Sequence, residues 1–428
     1  MKTASSPRAR RRRIAFRCIG LGFGLGLASL AVEVAFRAVP RLVPSSFRQR
    51  FPPHGVEFFA PGVLDRTPIE GVPVPTGVQT FDGPPMHDIA DTGVTRIGVA
   101  MDLEDVPRLV LPIDADGFPN QPGAWDDGAP DLALVGDSFA ALASQTEPPG
   151  LVVALQRDLG VRVLNAAVPG IGPEQELYVL RQRVVPRRPR VVVWMVYGGN
   201  DFMNAYFLLM AKNERGRTLA DLYRDQRRPT WILPALLEAW LSPAPESPFP
   251  EELPAVQLRG CATGSTWFHP DTLRLLAMPR EAIQAMPAWS VFASSLTAGQ
   301  QEVEAIGAKL LIVYVPGKEQ VALPLLVDDG ALLARYVQRS ILQVIEVADD
   351  PAALLQQLRR NCGALEDLIE AHCAALGVPF WSATPVFREA LAACQQVYYR
   401  ADSHWRAEGQ RLVSPILVEQ LRELGLGR

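Results

Sequence analysis

The chain has 428 residues, of which 48% are hydrophobic and 21% charged, a composition typical of a globular protein that buries a substantial core. The formal net charge is −4, but the first 17 residues hold seven basic residues and no acidic one, which leaves −11 on the rest. This acidic remainder, without a basic stripe, excludes a nucleic-acid partner.

The N-terminal segment has the pattern of an export signal or a membrane anchor. Residues 1–13 are basic, and residues 14–39 are mostly apolar and long enough to span a bilayer. We therefore predict a cytoplasmic N-terminus, a single-pass anchor in an inner membrane at 14–39, and a periplasmic domain. A cleaved signal peptide, which would give a secreted protein, is the alternative, because residues 31–38 offer small residues for cleavage.

Residues 40–130 are rich in Pro, Gly and Asp and contain few periodic stretches. We predict that they form a stalk and an irregular lead-in segment instead of a separate packed domain. Residues 114–118 form a predicted turn before the main fold.

From residue 131 to residue 428, short apolar runs alternate with amphipathic segments, as in a parallel sheet covered by helices on both faces. We therefore predict one α/β domain over 131–428, with an insertion at about 203–285 where prolines interrupt the pattern. The predicted strands are 132–135, 161–164, 190–196, 309–315 and 378–381. The predicted helices are 151–159, 173–183, 351–376 and 407–424.

Four polar segments lie at the ends of these predicted elements. Gly136-Asp137-Ser138 follows the first strand, 165–170 follows the second, 198–201 follows the third, and 402–405 precedes the last helix. Because open α/β folds bind ligands at the carboxyl edge of the sheet, we expect these segments to meet there.

The residue types in the four segments suit acyl transfer. Ser138 would attack an acyl carbon, His404 would act as general base and acid, and Asp402 would orient the imidazole. The backbone N–H groups of Ser138 and Gly170 and the side-chain amide of Asn200 would bind the oxyanion. Each segment alone is also consistent with an ordinary turn or helix cap, but their order and placement favour the catalytic interpretation.

These segments resemble the blocks of the SGNH/GDSL hydrolase superfamily over about 131–424. The resemblance implies a flavodoxin-like three-layer α/β/α fold and acyl-ester chemistry, with Ser138 as nucleophile. The last block departs from the common Asp-x-x-His spacing, since Ala401 occupies the position where Asp is expected. Asp402-Ser403-His404-Trp405 is more similar to a membrane-attached branch that includes alginate-type O-acetyltransferases.

Asp137, Asp201 and Lys318 are further candidates for substrate binding. Lys318 lies in the segment 316–320, which also resembles a loop of the membrane-attached branch, and a solvated loop charge is the alternative interpretation. Three aromatic residues flank the third block and would either pack in the core or form a platform for a sugar ring. They are Trp194, Tyr197 and Phe202.

Four cysteines follow the apolar segment, and in an exported domain they suit two disulfides with three alternative pairings. They are Cys261, Cys362, Cys373 and Cys394. Their spacing matches no zinc-site pattern, so we predict neither a metal nor a cofactor.

The sequence supports three functional hypotheses. The first is a serine esterase, acting as an acetyl esterase on an envelope carbohydrate or lipid. The second is an O-acetyltransferase that modifies an extracytoplasmic polysaccharide, with polysaccharide-modification proteins as partners. The third is a membrane-tethered carbohydrate-binding protein that retains the fold without reacting.

Overall fold

The computed structural model describes residues 20–21, 23–35, 77–81, 109–114, 117–125, 128–215, 253–261, 264–400 and 402–427. The chain divides into two compact units, one of residues 1–56 and 225–246 and one of residues 57–224 and 247–428. In the first unit, residues 20–21 and 23–35 are helical. No helix within the described residues is both long and apolar enough to cross a membrane. The predicted anchor at 14–39 lies partly outside the described residues, and so does most of the predicted stalk and lead-in segment at 40–130.

The second unit is built on a five-stranded sheet whose neighbouring strands are all parallel. Its order is β4-β3-β5-β8-β9, which is 2-1-3-4-5 when only these strands are counted, the flavodoxin-like order. Two short antiparallel pairs, β1 with β2 and β6 with β7, lie outside this sheet. The strands are β1 (Gly77–Phe81), β2 (Leu109–Ile113), β3 (Leu132–Gly136), β4 (Val163–Asn165), β5 (Val191–Tyr197), β6 (Val256–Gln257), β7 (Ser265–Thr266), β8 (Lys309–Val315) and β9 (Phe380–Ser382).

Helices cover both faces of the sheet, as the alternating pattern predicts. Within the described residues, the α-helices after β3 are α1 (Ser138–Leu142), α2 (Leu151–Leu159), α3 (Pro173–Val179), α4 (Asp201–Arg215), α5 (Pro270–Leu275), α6 (Arg280–Ala285), α7 (Pro287–Ala305), α8 (Lys318–Ala322), α9 (Gly330–Gln338), α10 (Pro351–Asn361), α11 (Ala364–Leu376), α12 (Thr384–Ala392) and α13 (Ala407–Glu423).

The central strand β5 shows why the fold has three layers. All seven of its residues are buried, and successive side chains point to opposite faces of the sheet. Trp194 and its alternate neighbours pack in one hydrophobic cluster with residues of α3, α7 and α11. Met195 and its alternate neighbours pack in a second cluster with residues of α1, α2, α12 and α13. A strand buried on both faces is the arrangement expected of a doubly wound parallel sheet.

The predicted helix at 351–376 is wrong as a single element, because it is two helices separated at Cys362 and Gly363. Glycine costs about 1 kcal/mol in a helix interior, which favours a break at this position. The predicted helix at 173–183 also differs, since α3 ends at Val179 and continues as a π-helical turn over Leu180–Val184.

Part of the predicted lead-in segment contributes to the core of the sheet domain. The Asp114 carboxylate accepts hydrogen bonds from Phe118 N (2.9 Å), Asn120 Nδ2 (2.8 Å) and Trp125 Nε1 (2.6 Å). This carboxylate fixes the predicted turn at 114–118 and directs the Phe118 and Trp125 rings into the same cluster as Trp194.

The cysteines form one disulfide, so the prediction of two is wrong. Cys261, in the loop between β6 and β7, is bonded to Cys394, which follows α12. Cys362 and Cys373 are buried free thiols. They cannot pair without rearrangement of the core, because Cys362 packs in a third cluster around Phe268 and Tyr336 whereas Cys373 packs against the sheet.

Replacing both disulfide cysteines in the variant Cys261→Ser/Cys394→Ser should lower the free energy of unfolding by about 2–5 kcal/mol, because the crosslink closes a long loop in the unfolded chain. The sequence separation of the two cysteines is 133 residues. Thermal unfolding with and without a reductant measures the effect. Reduced wild type should unfold at the same temperature as the variant, and the variant should not respond to the reductant. Equal stability of oxidised wild type and variant would contradict the assignment.

Candidate active site

The turn after β3 places Ser138 at the carboxyl edge of the sheet. Gly136 has φ 153°, and a Cβ at this position would lie 2.6 Å from the carbonyl oxygen of Met195 on β5. Only glycine allows this close approach of two strands together with that backbone conformation. Asp137 then caps α1 by accepting a hydrogen bond from Phe139 N at 2.9 Å. Ser138 is thereby the first residue of a helix at the point where the strand order reverses.

The structure brings Ser138, His404 and Asp402 together in one hydrogen-bonded chain. His404 Nε2 lies 2.7 Å from Ser138 Oγ, and His404 Nδ1 lies 2.6 Å from Asp402 Oδ1. Asp402 Oδ1 also accepts the backbone N–H of His404 at 2.8 Å. The Asp-x-His spacing therefore works because the segment bends back and one oxygen receives both the ring and the backbone of His404.

Aromatic rings fix the orientation of the imidazole. The Phe139 ring stacks on His404 on one side, with centroids 4.9 Å apart, and on Tyr197 on the other, with centroids 3.8 Å apart. Trp405 lies against the same phenyl ring at 5.8 Å. Ser138 and His404 are only 5% and 4% exposed, so the reacting groups face a restricted opening.

The second and third polar segments lie next to the nucleophile turn. Val168 N donates to Gly136 O at 3.0 Å, which ties the loop that carries Gly170 to the turn before Ser138. Asn204 Nδ2 donates to Ile171 O at 3.1 Å, which ties the same loop to the helix that follows Asn200. The roles of Gly170 and Asn200 as oxyanion donors stay a prediction.

Gly170 and Asn200 both have features that suit a donor role. Gly170 is exposed and has φ 75°, a conformation that favours glycine. The buried Oδ1 of Asn200 has no hydrogen-bond partner among the described residues, so this oxygen does not hold the amide to the surrounding fold. Asn165, by contrast, is a structural residue, because its Nδ2 donates to Ala140 O and Ser144 Oγ and so supports α1.

Asp137 and Asp201, which the sequence offers as substrate contacts, are buried side chains that bind backbone groups, and their contact with a substrate stays a prediction. They are 1% and 0% exposed, and the Asp201 carboxylate accepts the backbone N–H of Tyr197 at 2.7 Å. The Asp137 carboxylate accepts a hydrogen bond from Phe139 N, and its other oxygen lies 3.2 Å from Ser138 Oγ. Both residues hold the loops beneath the site.

A third carboxyl group, that of Glu176, belongs to this buried cluster and was not indicated by the sequence. Burial raises the pKa of Glu176 well above its ordinary value, although the hydrogen bond from Trp194 Nε1 (2.7 Å) opposes this shift. Burial, followed by the nearby charges of Glu176 and Asp137, also raises the pKa of Asp201 well above its ordinary value. Burial raises the pKa of Asp137 in the same direction. Nothing in the spacing of Glu176 in an amphipathic helix distinguishes it from a surface residue.

Lys318 differs from one of the two interpretations made from the sequence. It is 2% exposed, so it is not a solvated loop charge. Its ammonium group donates to the carbonyl oxygens of Tyr399, Arg400 and Asp402, each at 3.0 Å. These contacts direct the side chain to the loop of Asp402 and His404, and its contact with a substrate stays a prediction.

The predicted aromatic platform is wrong. Trp194 and Phe202 are completely buried in the cluster on one face of the sheet. Tyr197 is buried on the other face, against Phe139. All three are core residues, which was the alternative interpretation.

Among the described residues, no three His, Cys, Asp or Glu side chains form a group that would hold a metal ion.

No protein-family model matches this chain, and no curated protein is significantly similar to it. Similar solved structures include a catalytic mutant of an acetylxylan esterase from Geobacillus stearothermophilus, with 13% identity and a TM-score of 0.35 over 70% of this chain and 98% of the esterase. A GDSL-like lipase from Bacteroides thetaiotaomicron has 12% identity and a TM-score of 0.30 over 68% of this chain and 87% of the lipase. A lipase/acylhydrolase from Enterococcus faecalis has 14% identity and a TM-score of 0.30 over 68% of this chain and 95% of its own. Similarity at this level carries no conclusion about the activity of this chain.

The buried carboxyl group of Asp201 should make stability depend on pH. Because its pKa is raised in the folded state, its stabilising contribution is complete below the pKa of the unfolded chain and is lost as pH rises towards the folded pKa. Asp201→Asn removes this loss and retains an acceptor for Tyr197 N–H. We expect the stability of the variant relative to wild type to increase by up to about 1.4 kcal/mol per pH unit above pH ~4.

Urea unfolding between pH 5 and pH 8 measures this difference. Asp201→Ala is the control, because it lacks the acceptor for Tyr197 N–H and should be destabilised by about 1–3 kcal/mol at every pH. A constant difference between Asp201→Asn and wild type over this range would contradict the prediction.

Proposed function

We propose that this protein is a serine-dependent acyl-ester hydrolase that acts through an acyl-enzyme at Ser138. The observation that carries the proposal is the continuous chain from Ser138 Oγ through the imidazole of His404 to Asp402, with distances of 2.7 and 2.6 Å. A buried nucleophile, base and orienting carboxylate in this order are the parts that acyl transfer requires.

The mechanism follows from the direction of these hydrogen bonds. His404 Nδ1–H donates to Asp402, which leaves Nε2 to accept the Ser138 proton as Oγ forms its bond to the acyl carbon. Asp402 stabilises the imidazolium that results. His404 then gives the proton to the leaving alcohol as the ester C–O bond breaks. In the second half, water loses a proton to His404 and attacks the acyl-enzyme. His404 then returns this proton to Ser138 Oγ as the bond between Oγ and the acyl carbon breaks, which releases the acid and regenerates the enzyme.

The oxyanion requires N–H donors that are already in place. We assign this role to the backbone N–H groups of Ser138 and Gly170 and to Asn200 Nδ2. Ser138 N lies in the first turn of α1, where backbone N–H groups have no acceptor within the helix. The Asn200 amide, whose oxygen has no hydrogen-bond partner among the described residues, and the left-handed Gly170 support the other two assignments.

The substrate that we propose is an acetylated envelope carbohydrate or lipid. This proposal rests on the resemblance of the sequence blocks, and the Asp-x-His-Trp form of the last block favours an alternative, O-acetyl transfer to an extracytoplasmic polysaccharide. Both reactions share the acyl-enzyme and differ only in whether water or a sugar hydroxyl attacks it.

We also propose that the site works outside the cytoplasm. The Cys261–Cys394 disulfide supports this location, because disulfides persist mainly in oxidising compartments. The basic residues at 1–13 followed by the apolar segment support export. Attachment to a membrane and association with polysaccharide-modification proteins stay predictions.

The proposed activity is tested by Ser138→Ala on an aryl acetate. We expect the variant to lose at least about 10³-fold in kcat, because the covalent intermediate can no longer form. A fluorophosphonate probe should label wild type and should not label the variant. Ser294→Ala is the matched control, since the Ser294 hydroxyl bonds to its own helix at Val291 O and to no other group in the described part of the chain. Unchanged turnover in Ser138→Ala, or failure of the probe to label wild type, would favour the non-catalytic carbohydrate-binding alternative.

The choice between hydrolysis and transfer is tested with the same aryl acetate in the presence of a polysaccharide acceptor. Hydrolysis predicts that all acetyl appears as free acetate and that the acceptor leaves kcat unchanged. Acetyl found on the acceptor, together with less free acetate per turnover, would overturn the plain hydrolase. Ser138→Ala should abolish both products, because both derive from the same acyl-enzyme.

A further inference from the structure

We propose that Lys318 is a positioning residue that holds the loop of Asp402 and His404 in register with Ser138. The inference rests on the proposed function, and it assigns a role in that reaction to a residue outside the triad. The evidence is the set of three carbonyl oxygens, those of Tyr399, Arg400 and Asp402, that lie 3.0 Å from the Lys318 ammonium.

The chemistry of a buried ammonium explains why this contact is specific. A lysine charge that is 2% exposed is unfavourable unless its donors are satisfied. The ammonium group has three N–H donors, and three carbonyls from four consecutive loop positions converge on it. A displacement of the loop by an ångström would leave a buried charge without acceptors, so Lys318 favours one conformation of the loop.

Other contacts hold the outer part of this loop. Trp267 N and Thr266 Oγ1 donate to Arg400 O at 2.9 and 3.0 Å, and Arg400 Nε donates to Ser265 O at 2.9 Å. An isolated bridge between Tyr398 and Trp405 closes its base, and Tyr399 N donates to His404 O at 3.0 Å. The described positions between the two bridge residues form neither helix nor strand. Lys318 bonds to the inner side of this loop at the carbonyl of Asp402, and the carboxylate of the same residue bonds to His404.

A second contact also connects this loop to the turn after β8. Tyr398 Oη donates to Pro316 O at 2.7 Å, two residues before Lys318. Ser138 is fixed to the end of β3, and His404 is fixed through Lys318 to the end of β8. The distance between nucleophile and base is therefore set by the sheet, in which β3 and β8 both pair with β5.

Lys318→Met tests the proposal, because methionine is a long unbranched side chain of similar size and has no donor. We expect kcat to fall by about 10–100-fold with KM changed by less than about threefold, since misplacement of a catalytic group affects the reaction step and the ammonium does not touch the substrate. Lys309→Met is the matched control: Lys309 also donates to a carbonyl, that of Leu424, but on the surface. The control should retain wild-type kcat.

A double-mutant cycle separates positioning from a general loss of stability. In a His404→Ala background, Lys318→Met should cause no further decrease in the residual kcat, because Lys318 acts only through His404. A decrease as large as in the wild-type background, or an increase in KM without change in kcat, would overturn the proposal. If the methionine variant does not fold, Lys318→Gln replaces it in the cycle. Glutamine keeps one donor group, so we expect a smaller loss in kcat from Lys318→Gln than from Lys318→Met.

Hydrogen exchange distinguishes failure of this inference from failure of the proposed function. The amides of residues 399–406 should exchange faster in Lys318→Met than in wild type, and those of β3 and β5 should not change, whatever the reaction is. Unchanged exchange at 399–406 would overturn the proposed role of Lys318 in holding this loop. Full activity of Ser138→Ala would instead refute the proposed function and leave the exchange result intact.

Discussion

The interaction on which the site depends is the pair of hydrogen bonds that one oxygen of Asp402 receives from His404. With a single intervening residue, a carboxylate reaches the ring of its partner where the backbone places both side chains on the same side. Asp402 Oδ1 stabilises this arrangement by accepting the backbone N–H and orients the ring by accepting Nδ1. The same oxygen atom therefore stabilises the conformation of this segment and orients the imidazole ring. A helical segment would separate the two side chains, since residues two apart do not face each other on a helix.

The polar groups around this pair show how a parallel sheet accommodates chemistry at its carboxyl edge. Each loop there is held by a buried polar side chain that satisfies backbone groups: Asp137 caps α1, Asp201 accepts Tyr197 N–H, and Lys318 binds three carbonyls. Such groups are unfavourable to bury unless their partners are well placed, so each selects a single loop conformation. Burial also raises the pKa of Glu176 and Asp201, which favours their neutral forms beneath the site.

The sequence predicted the parts of the fold that local pattern controls and missed those that depend on distant partners. The strand at 309–315 and the helix at 151–159 have the predicted bounds, because apolar periodicity and end signals agree there. The helix break at Gly363 was missed because the apolar period continues on both sides of it. Ser138 was selected from the turn after a strand, and Asp402 and His404 from the segment before the last helix and the resemblance of that segment to a known block. The structure brings these three side chains together, and their catalytic roles stay a prediction. Lys318 was misjudged because its three acceptors lie more than 80 positions away along the chain, beyond the reach of any local pattern.

The restricted exposure of the site bears on the choice between water and a sugar hydroxyl as the second reactant. Phe139 covers one face of the His404 ring, Tyr197 lies behind Phe139, and Asp402 is completely buried. In the proposed reaction, any acceptor reaches the acyl group where Ser138 and His404 retain their exposure of 5% and 4%. Both reactions use the same path and the same base, so the triad alone does not select between them. The choice between hydrolysis and transfer depends on how strongly the residues around that opening bind an acceptor hydroxyl relative to water. This is a property of the loops at the rim and not of Ser138, His404 and Asp402.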